Sequence, residues 1–240
     1  MLRIMTESKS SKSRLWALIP AAGVGARMAA DLPKQYLTVR NKTILEHTLS
    51  LFLEVEKIAG VQLCLSPDDV YWQEIAFSHE KLLPTCDGGA HRADSVLSGL
   101  KSLEKVASVD DWVLIHDAAR PCLSKELLST LIASLIDDPV GGVLGVPVAD
   151  TLKNVSSEGI ESTVDRSTLW AAQTPQMFRL GFLRDCLQKA FASDVVVTDE
   201  ASCIEAAGFK PKIVLGERPN IKVTYPEDLA WVEYFLANKV

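Results

Sequence analysis

The stretch "PAAGVGARM" near the amino terminus combines residue types that suit the binding of a polyphosphate. Gly23 and Gly25 allow the backbone to come close to a ligand, while Ala21 and Ala22 keep bulky side chains out of the way. Successive backbone N–H groups in such a turn can form a concave anion site. Because Arg27 follows directly, the stretch predicts a loop that wraps phosphate groups.

A second cation follows in "DLPKQY", where Pro33 restricts the backbone in front of Lys34. Arg27 and Lys34 therefore flank the glycine turn, and we expect both to neutralise phosphate charge. Met28 occupies the position at which the dinucleotide fingerprint needs its third glycine, and the sequence contains no Walker A pattern. The glycines taken alone also fit a plain tight turn, so the two cations carry the prediction.

Two further motifs bear residues that could contact a nucleotide. In "DGGAHRADSV", Gly88 and Gly89 permit close backbone approach, and Ser95 can reach the edge of a base. "IHDAARP" ends an apolar run, and its Asp117 is the best magnesium candidate, since Mg²⁺ usually takes one or two carboxylates plus ligand phosphates. Arg120 is expected to face anions or to organise this loop.

Continuous apolar runs alternate with helical stripes along most of the chain. Such runs are typical of parallel strands covered on both faces, and their alternation with helices predicts an α/β three-layer sandwich with a mostly parallel twisted sheet. Ligands of such sheets bind outside the carboxyl ends of the strands, where each motif lies. Strands are predicted at 15–20, 61–66, 112–116, 141–148 and 211–216, and helices at 43–54, 92–103, 124–136 and 226–237.

The segment at about 150–166 departs from this pattern, because it is polar, alternating and β-prone around a "SEG" turn. It predicts a β-hairpin arm that projects from the sandwich. Since an isolated hairpin is marginal in water, we expect the arm to pack on a second subunit. Residues 1–14 are predicted to be a flexible tail, and residues 15–240 a single domain that carries the arm.

Composition excludes several classes of protein. A net charge of −6 over 240 residues argues against a basic nucleic-acid-binding surface, and no apolar run approaches the roughly 20 residues that span a bilayer. The five cysteines include no C-x-x-C pair, and the four histidines show no zinc-protease spacing. Scattered thiols favour a reduced, cytoplasmic protein.

Together, "PAAGVGARM…PKQY", "DGGAHRADSV", "HDAARP", "TPQ", "TDEAS" and "IKVT" resemble the 2-C-methyl-D-erythritol 4-phosphate cytidylyltransferase family of the non-mevalonate isoprenoid pathway. The resemblance runs from about Trp16 to the carboxyl terminus in the family's order and spacing. It implies a nucleotide-diphospho-sugar transferase-like fold and a homodimer. It also implies a reaction that joins CTP to 2-C-methyl-D-erythritol 4-phosphate, with Mg²⁺ and with release of pyrophosphate.

The resemblance also implies residue roles. Arg27 and Lys34 match the charge-stabilising pair, while Lys222 and Arg166, the latter from the partner subunit, match the residues that hold the acceptor for attack. Many relatives carry an acid where this chain has Ala90. CTP contacts fall to Ala21, Ala22, Gly23, Gly25, Gly88, Gly89, Ser95 and Asp117. The residues expected to contact methylerythritol phosphate are Asp117, Arg120, Thr151, Arg166, Thr174, Thr198 and Lys222. Asp117 is also expected to bind the metal.

Three other functions stay open at this point. A cytidylyltransferase for ribitol 5-phosphate or another sugar phosphate would share the early motifs. A dinucleotide-dependent oxidoreductase would share the sheet, although Met28 argues against it. A non-catalytic nucleotide-binding module would need neither Arg27 nor Lys34 for turnover.

Overall fold

The computed structural model describes residues 13–23 and 32–238. The strands in these ranges are β1 (Leu15–Pro20), β2 (Thr38–Val39), β3 (Lys42–Thr43), β4 (Ile58–Leu65), β5 (Cys86–Asp87), β6 (Trp112–Ile115), β7 (Gly142–Pro147), β8 (Leu152–Ser156), β9 (Gly159–Val164), β10 (Trp170–Arg179) and β11 (Lys212–Leu215). The α-helices are α1 (Ile44–Leu53), α2 (Arg92–Leu103), α3 (Lys125–Leu135), α4 (Leu180–Ala192), α5 (Glu200–Ala206) and α6 (Asp228–Ala237).

Seven strands form one central sheet in the order β11-β7-β10-β6-β1-β4-β5. Strand β10 runs antiparallel to both of its neighbours, and the other neighbouring pairs are parallel. The predicted α/β class with a mostly parallel sheet is therefore confirmed. All five predicted strands and all four predicted helices are present, with ends shifted by up to about three residues, within the usual scatter of such boundaries.

The side chains of β1 show why the fold has three layers. Ala17 and Ile19 enter one apolar cluster, which α1 and α3 cover, while Trp16 and Leu18 enter a second cluster under α2, α4 and α5. Successive strand residues point to opposite faces of a sheet, so a continuous apolar run supplies both clusters. Because both faces are covered, the ends of the strands are left as the place for a ligand.

Local capping fixes where several helices begin. Thr43 and Glu46 form a reciprocal capping box at α1, and the Ser124 hydroxyl accepts a hydrogen bond from the Leu127 N–H at α3. Asp199 caps α5, as expected of the acids in "TDEAS". These caps satisfy backbone N–H groups that would otherwise lack partners, and they set which residues open each helix.

Strand β10 was not predicted from the sequence. Its middle reads Gln173, Thr174, Pro175 and Gln176, and the register with β7 shifts between Gln173 and Gln176. Proline and polar residues inside a run argue against a strand on pattern alone. Gln176 pairs with Ile115, the last residue of β6, so these polar residues lie near the carboxyl ends of the parallel strands.

The predicted hairpin is confirmed as β8 and β9, which pair antiparallel and form a two-stranded sheet of their own. It is inserted between β7 and β10 and is almost wholly exposed. The single-domain division stays a prediction, and of the predicted tail only residues 13 and 14 are described. Among the described helices, none is long and apolar enough to cross a bilayer. The five cysteines are free thiols.

Candidate active site

A cavity opens at the carboxyl ends of β1 and β6, beside the loop that follows β5. Its walls come from segments that are far apart in the sequence, which the parallel strands bring to one edge. The lining residues are Pro20, Ala21, Ala22, Gly23, Lys34, Gln35, Gly89, Ala90, His91, Arg92, Ser95, Asp117, Ala118, Ala119 and Lys222.

Eight of the residues predicted to bind or react line this cavity, namely Ala21, Ala22, Gly23, Lys34, Gly89, Ser95, Asp117 and Lys222. Gly88, Arg120 and Thr174 lie directly behind the lining and contact it. Gly25 and Arg27 lie outside the described residues, so their roles stay predictions. The structure therefore gathers residues from the glycine turn, both later motifs and "IKVT" at one place.

Asp117 is the centre of charge in the cavity. Its Oδ1 accepts from Arg92 Nε at 2.8 Å, while its Oδ2 lies 2.9 Å from Lys222 Nζ and 3.5 Å from Arg120 Nε. Burial alone would raise the pKa of this carboxyl, but the three cations outweigh burial and hold the pKa well below its usual range. Asp117 is therefore ionised at neutral pH and fixes the positions of three cationic side chains.

The backbone of Asp117 is held from behind by a buried polar chain. Its N–H donates to Thr174 Oγ1 at 3.0 Å, and Thr174 Oγ1 lies 3.0 Å from His116 Nδ1. His116 Nε2 lies 3.0 Å from the carbonyl oxygen of Arg120, which can only accept. Nε2 therefore carries the proton, and the Thr174 hydroxyl donates to Nδ1. His116 is fully buried and serves as a core histidine.

We expect His116 to make the protein less stable in mild acid. Burial lowers its pKa to about 4, whereas an unfolded histidine titrates near 6.5. Protonation therefore favours the unfolded state, and the free energy of unfolding should fall by up to about 3 kcal/mol between roughly pH 6.5 and pH 4. Urea unfolding at several pH values measures this slope, and His116→Gln should flatten it. Parallel profiles for the two proteins in that window would contradict the assignment.

The loop after β5 touches the glycine turn after β1. The Gly88 N–H donates to the Leu65 carbonyl at 2.6 Å, and the Gly89 N–H donates to Ser95 Oγ at 3.0 Å. A Cβ on Gly88 would lie 2.5 Å from Ala22 Cβ, and one on Gly89 2.3 Å from Asp94 Cβ. The two glycines are therefore required for close packing of the loops. Ser95 is buried and holds the loop, and its contact with a base stays a prediction.

Gly88→Ala should destabilise the protein by about 1–3 kcal/mol, because the added methyl group overlaps Ala22 Cβ and Ser95 Oγ. It should also weaken nucleotide binding, since the two loops must move apart. Gly23→Ala is the matched control for stability, because a Cβ there meets no atom within 4 Å. Thermal unfolding of both variants checks the prediction, and equal midpoints would show that the loops do not need this contact.

One segment near the carboxyl terminus joins the two sides of the cavity. Lys34 Nζ donates to the Val223 carbonyl at 3.0 Å, and the Val223 N–H donates to the Ala119 carbonyl at 2.9 Å. Arg120 Nη1 donates to the Asn220 carbonyl at 2.6 Å. Residues 220–223 therefore fix Lys34 relative to the loop that bears Asp117.

Sequence reasoning missed several residues that build the site. Gln35 donates from Nε2 to the Ala21 carbonyl at 2.8 Å and so anchors the start of the glycine turn. Its place beside Lys34 in "PKQY" was the available signal. Arg92 lines the cavity and was not among the predicted site residues. Glu200, its ion-pair partner, opens α5 and was not predicted either.

Besides Arg120 and Thr174, three further predicted acceptor contacts are not among the residues that line this cavity. Arg166, at the base of the arm, donates from Nη1 to the Ala149 carbonyl. Thr151 is exposed beside the arm, and the Thr198 N–H donates to Ser202 Oγ at 3.1 Å, next to the α5 cap. Their contacts with a substrate stay predictions.

Comparison with known proteins gives one consistent result. The sequence model of the family described as "IspD: 2-C-methyl-D-erythritol 4-phosphate cytidylyltransferase" matches residues 15–238. A protein of that name from Ectopseudomonas mendocina is 52% identical over 222 residues, which cover 92% of this chain and 94% of the relative. Another, from Pseudomonas putida strain GB-1, is 54% identical over 219 residues, 90% of this chain and 93% of the relative.

Solved structures agree. That of the Francisella tularensis 2-C-methyl-D-erythritol 4-phosphate cytidylyltransferase matches with a TM-score of 0.82 and 34% identity, covering 93% of this chain and 100% of the other. The Thermus thermophilus enzyme of the same name matches with a TM-score of 0.75 and 29% identity, over 92% and 98% of the two chains. By sequence, fold and the gathering of its motifs at one cavity, the chain belongs to the 2-C-methyl-D-erythritol 4-phosphate cytidylyltransferase family.

Proposed function

We propose that this cavity is where the chain carries out its family's reaction, the transfer of a cytidylyl group from CTP to 2-C-methyl-D-erythritol 4-phosphate with release of pyrophosphate. The observation that carries the proposal is that Lys34, Lys222 and Arg92 line one cavity with Asp117, which pairs with the last two, beside two glycine loops. Family membership over nearly the whole chain supports it. The product belongs to isoprenoid precursor synthesis.

The reaction requires the protein to align its two substrates and to neutralise negative charge on the phosphates. An oxygen of the acceptor phosphate forms a bond to the α-phosphorus of CTP, and the bond from that phosphorus to the bridging oxygen breaks as pyrophosphate leaves. No covalent enzyme intermediate is needed, so alignment and neutralisation of developing negative charge supply the catalysis. Lys34 borders the glycine turn and is placed to neutralise the triphosphate. Arg27 is proposed for the same task.

The two ends of the reaction are proposed to use different parts of the cavity. Gly88 and Gly89, in the loop that Ser95 holds, are proposed to receive the cytosine through backbone groups. Lys222, half exposed beside Asp117, is proposed to hold the acceptor phosphate. Arg120, Thr151, Arg166, Thr174 and Thr198 are proposed to complete the acceptor site.

A magnesium ion is proposed as the cofactor. Asp117 is the one carboxylate among the residues that line the described cavity, and its three cationic partners leave it little capacity to hold a metal alone. This fits Mg²⁺, which takes one or two carboxylates and otherwise phosphate oxygens and water. Asp117 and the triphosphate would share the ion, which when bound neutralises phosphate charge. Groups of three or more histidine, cysteine or acidic ligands are not found within the described residues.

A homodimer is proposed from the arm. Val155 and Ile160 are 66% and 68% exposed on a hairpin whose two strands pair only with each other within the described residues. A second copy could cover this surface and bring Arg166 to the neighbouring site.

If Arg166 acts in the partner's site, mixed dimers should regain activity. In this arrangement each site uses Lys34 from one subunit and Arg166 from the other. A heterodimer of Lys34→Ala and Arg166→Ala therefore has one site that lacks both residues and one site that keeps both. Subunits exchanged under mild denaturation should recover about a quarter of wild-type turnover, as random mixing of two copies places one intact site in half of the dimers. Pyrophosphate release from the mixture measures this. No recovery, with dimers verified by light scattering, would place Arg166 in its own subunit's site.

A cytoplasmic location is also proposed. The five cysteines are free thiols, which suits a reducing compartment. Cell fractionation followed by immunoblotting tests this location, and recovery of the protein outside the cytoplasm would contradict it.

Pyrophosphate release tests the proposed function directly. The purified chain is incubated with CTP, Mg²⁺ and either 2-C-methyl-D-erythritol 4-phosphate or ribitol 5-phosphate, and we expect turnover with the first. Turnover with ribitol 5-phosphate alone would assign the alternative substrate. The same assay in EDTA tests the metal, because activity that persists without divalent cations would remove magnesium from the proposal.

A further inference from the structure

Arg92 joins two carboxylates that come from different elements. Its Nε donates to Asp117 Oδ1 at 2.8 Å, while Nη1 and Nη2 donate to Glu200 Oε1 and Oε2 at 2.6 Å and 3.1 Å. The planar guanidinium thus uses one edge for each acid, an arrangement that the point charge of a lysine cannot reproduce.

The three residues connect three parts of the fold. Arg92 is the first residue of α2, Asp117 follows β6, and Glu200 is the first residue of α5. Arg92 lines the cavity, whereas Glu200 is only 1% exposed and is not among the lining residues. Glu200 therefore contacts the lining of the cavity through Arg92.

Glu200 is itself held firmly in place. Gln176 of β10 accepts a hydrogen bond from the Ala201 N–H at 2.9 Å and donates to Asp199 Oδ2 at 2.8 Å. One glutamine side chain therefore binds the residues on both sides of Glu200. A connected set of contacts runs from the sheet through α5 and Arg92 to Asp117.

Charge balance explains why a buried acid is present. Without Glu200, Asp117 would be the single anion facing Arg92, Arg120 and Lys222. Glu200 compensates Arg92, so the arginine can hold Asp117 Oδ1 without drawing the carboxylate away from Lys222. A charge left unpaired in this buried place would be costly.

We propose that Arg92 and Glu200 form a positioning pair for the transfer reaction, in which Glu200 fixes the Arg92 guanidinium and Arg92 fixes Asp117 toward Lys222. This inference rests on the proposed function. Arg92 also begins α2, and the loop before this helix is proposed to receive the base. The pair therefore fixes the position of that loop relative to Asp117 and Lys222.

Glu200→Gln tests the pair, since it keeps the shape of the side chain and removes its charge. We expect kcat to fall about tenfold while the KM for CTP changes by less than about twofold, because Glu200 touches no substrate. Glu200→Asp, which keeps the charge, should restore part of the loss. Glu205→Gln, on the exposed side of the same helix, is the matched control and should leave kcat unchanged.

Arg92→Lys supplies a second test, and the single variant does not require any Glu200 variant to fold. We expect it also to lower kcat about tenfold, and Glu200→Gln added to it should cost less than about a further twofold. Penalties that multiply in the double variant, or a Glu200→Gln enzyme with wild-type kcat, would overturn the inference. Wild-type turnover is measured first. Absence of wild-type turnover would refute the proposed function. Wild-type turnover together with an unchanged kcat in Glu200→Gln would refute only the positioning pair.

Discussion

Lys34→Ala should reduce kcat about 10²–10³-fold, which corresponds to roughly 3–4 kcal/mol of transition-state stabilisation. Lys34 lines the cavity beside the glycine turn, and its Nζ donates to the Val223 carbonyl. Negative charge on the phosphates grows as the α-phosphorus bond to pyrophosphate breaks. A cation placed where that charge grows acts mainly in the transition state, so the affinity for CTP should change little.

Steady-state kinetics and direct titration of CTP separate the two effects of Lys34→Ala. Lys125→Ala is a suitable control, because Lys125 is a half-exposed lysine on α3 that pairs with Glu54 and lies outside the cavity. The control should retain wild-type turnover. A loss of CTP affinity as large as the loss of kcat would instead assign Lys34 to ground-state binding.

Asp117→Asn should lower both stability and turnover. It removes the anion that Arg92, Arg120 and Lys222 share, and breaking a buried ion pair from one side costs about 3–5 kcal/mol. Because Lys222 is 38% exposed and can be hydrated again, we expect the low end, about 3 kcal/mol. Turnover should fall about 100-fold, since the cations lose their common anchor.

The stability effect of Asp117→Asn must be separated from its effect on turnover. Asp138→Asn provides that control. Asp138 is also buried, pairs with Lys212 and accepts from the Val140 and Gly141 N–H groups. It lies before β7, at the amino ends of the parallel strands and away from the cavity. It should reduce the free energy of unfolding while kcat stays near the wild-type value. Equal losses of kcat in both variants would attribute the effect of Asp117→Asn to instability.

Much of the fold followed from the apolar pattern of the sequence. Ala17, Leu18 and Ile19 are all fully buried, as a strand covered on both faces requires, and the motifs that follow the strands meet at one edge. Lys34 could be found because it follows the glycine turn within about ten residues, and Asp117 because it comes just after an apolar strand. In each case, residues nearby in the sequence indicated that the side chain belongs to a site.

Contacts that depend on distant partners could not be predicted in this way. Strand β10 places Thr174 and Gln176 inside the sheet, and their polarity hid the strand. Glu200 reads as an ordinary acid in the first turn of a helix, and only folding brings it within 2.6 Å of Arg92, 108 positions away. Ion pairs of this kind leave no mark on sequence periodicity, since their members belong to separate elements.

The hairpin arm is connected to the strand that supports Asp117. Its stem lies where Pro147, the last residue of β7, pairs with Trp170, the first residue of β10. Four residues further along β10, Thr174 receives the Asp117 N–H. Residues 165–169 link β9 to β10, and the Val148 N–H donates to the Leu169 carbonyl at the stem. We therefore expect a reagent that binds the hairpin tightly to reach Asp117 through β10 and to lower turnover in the cavity.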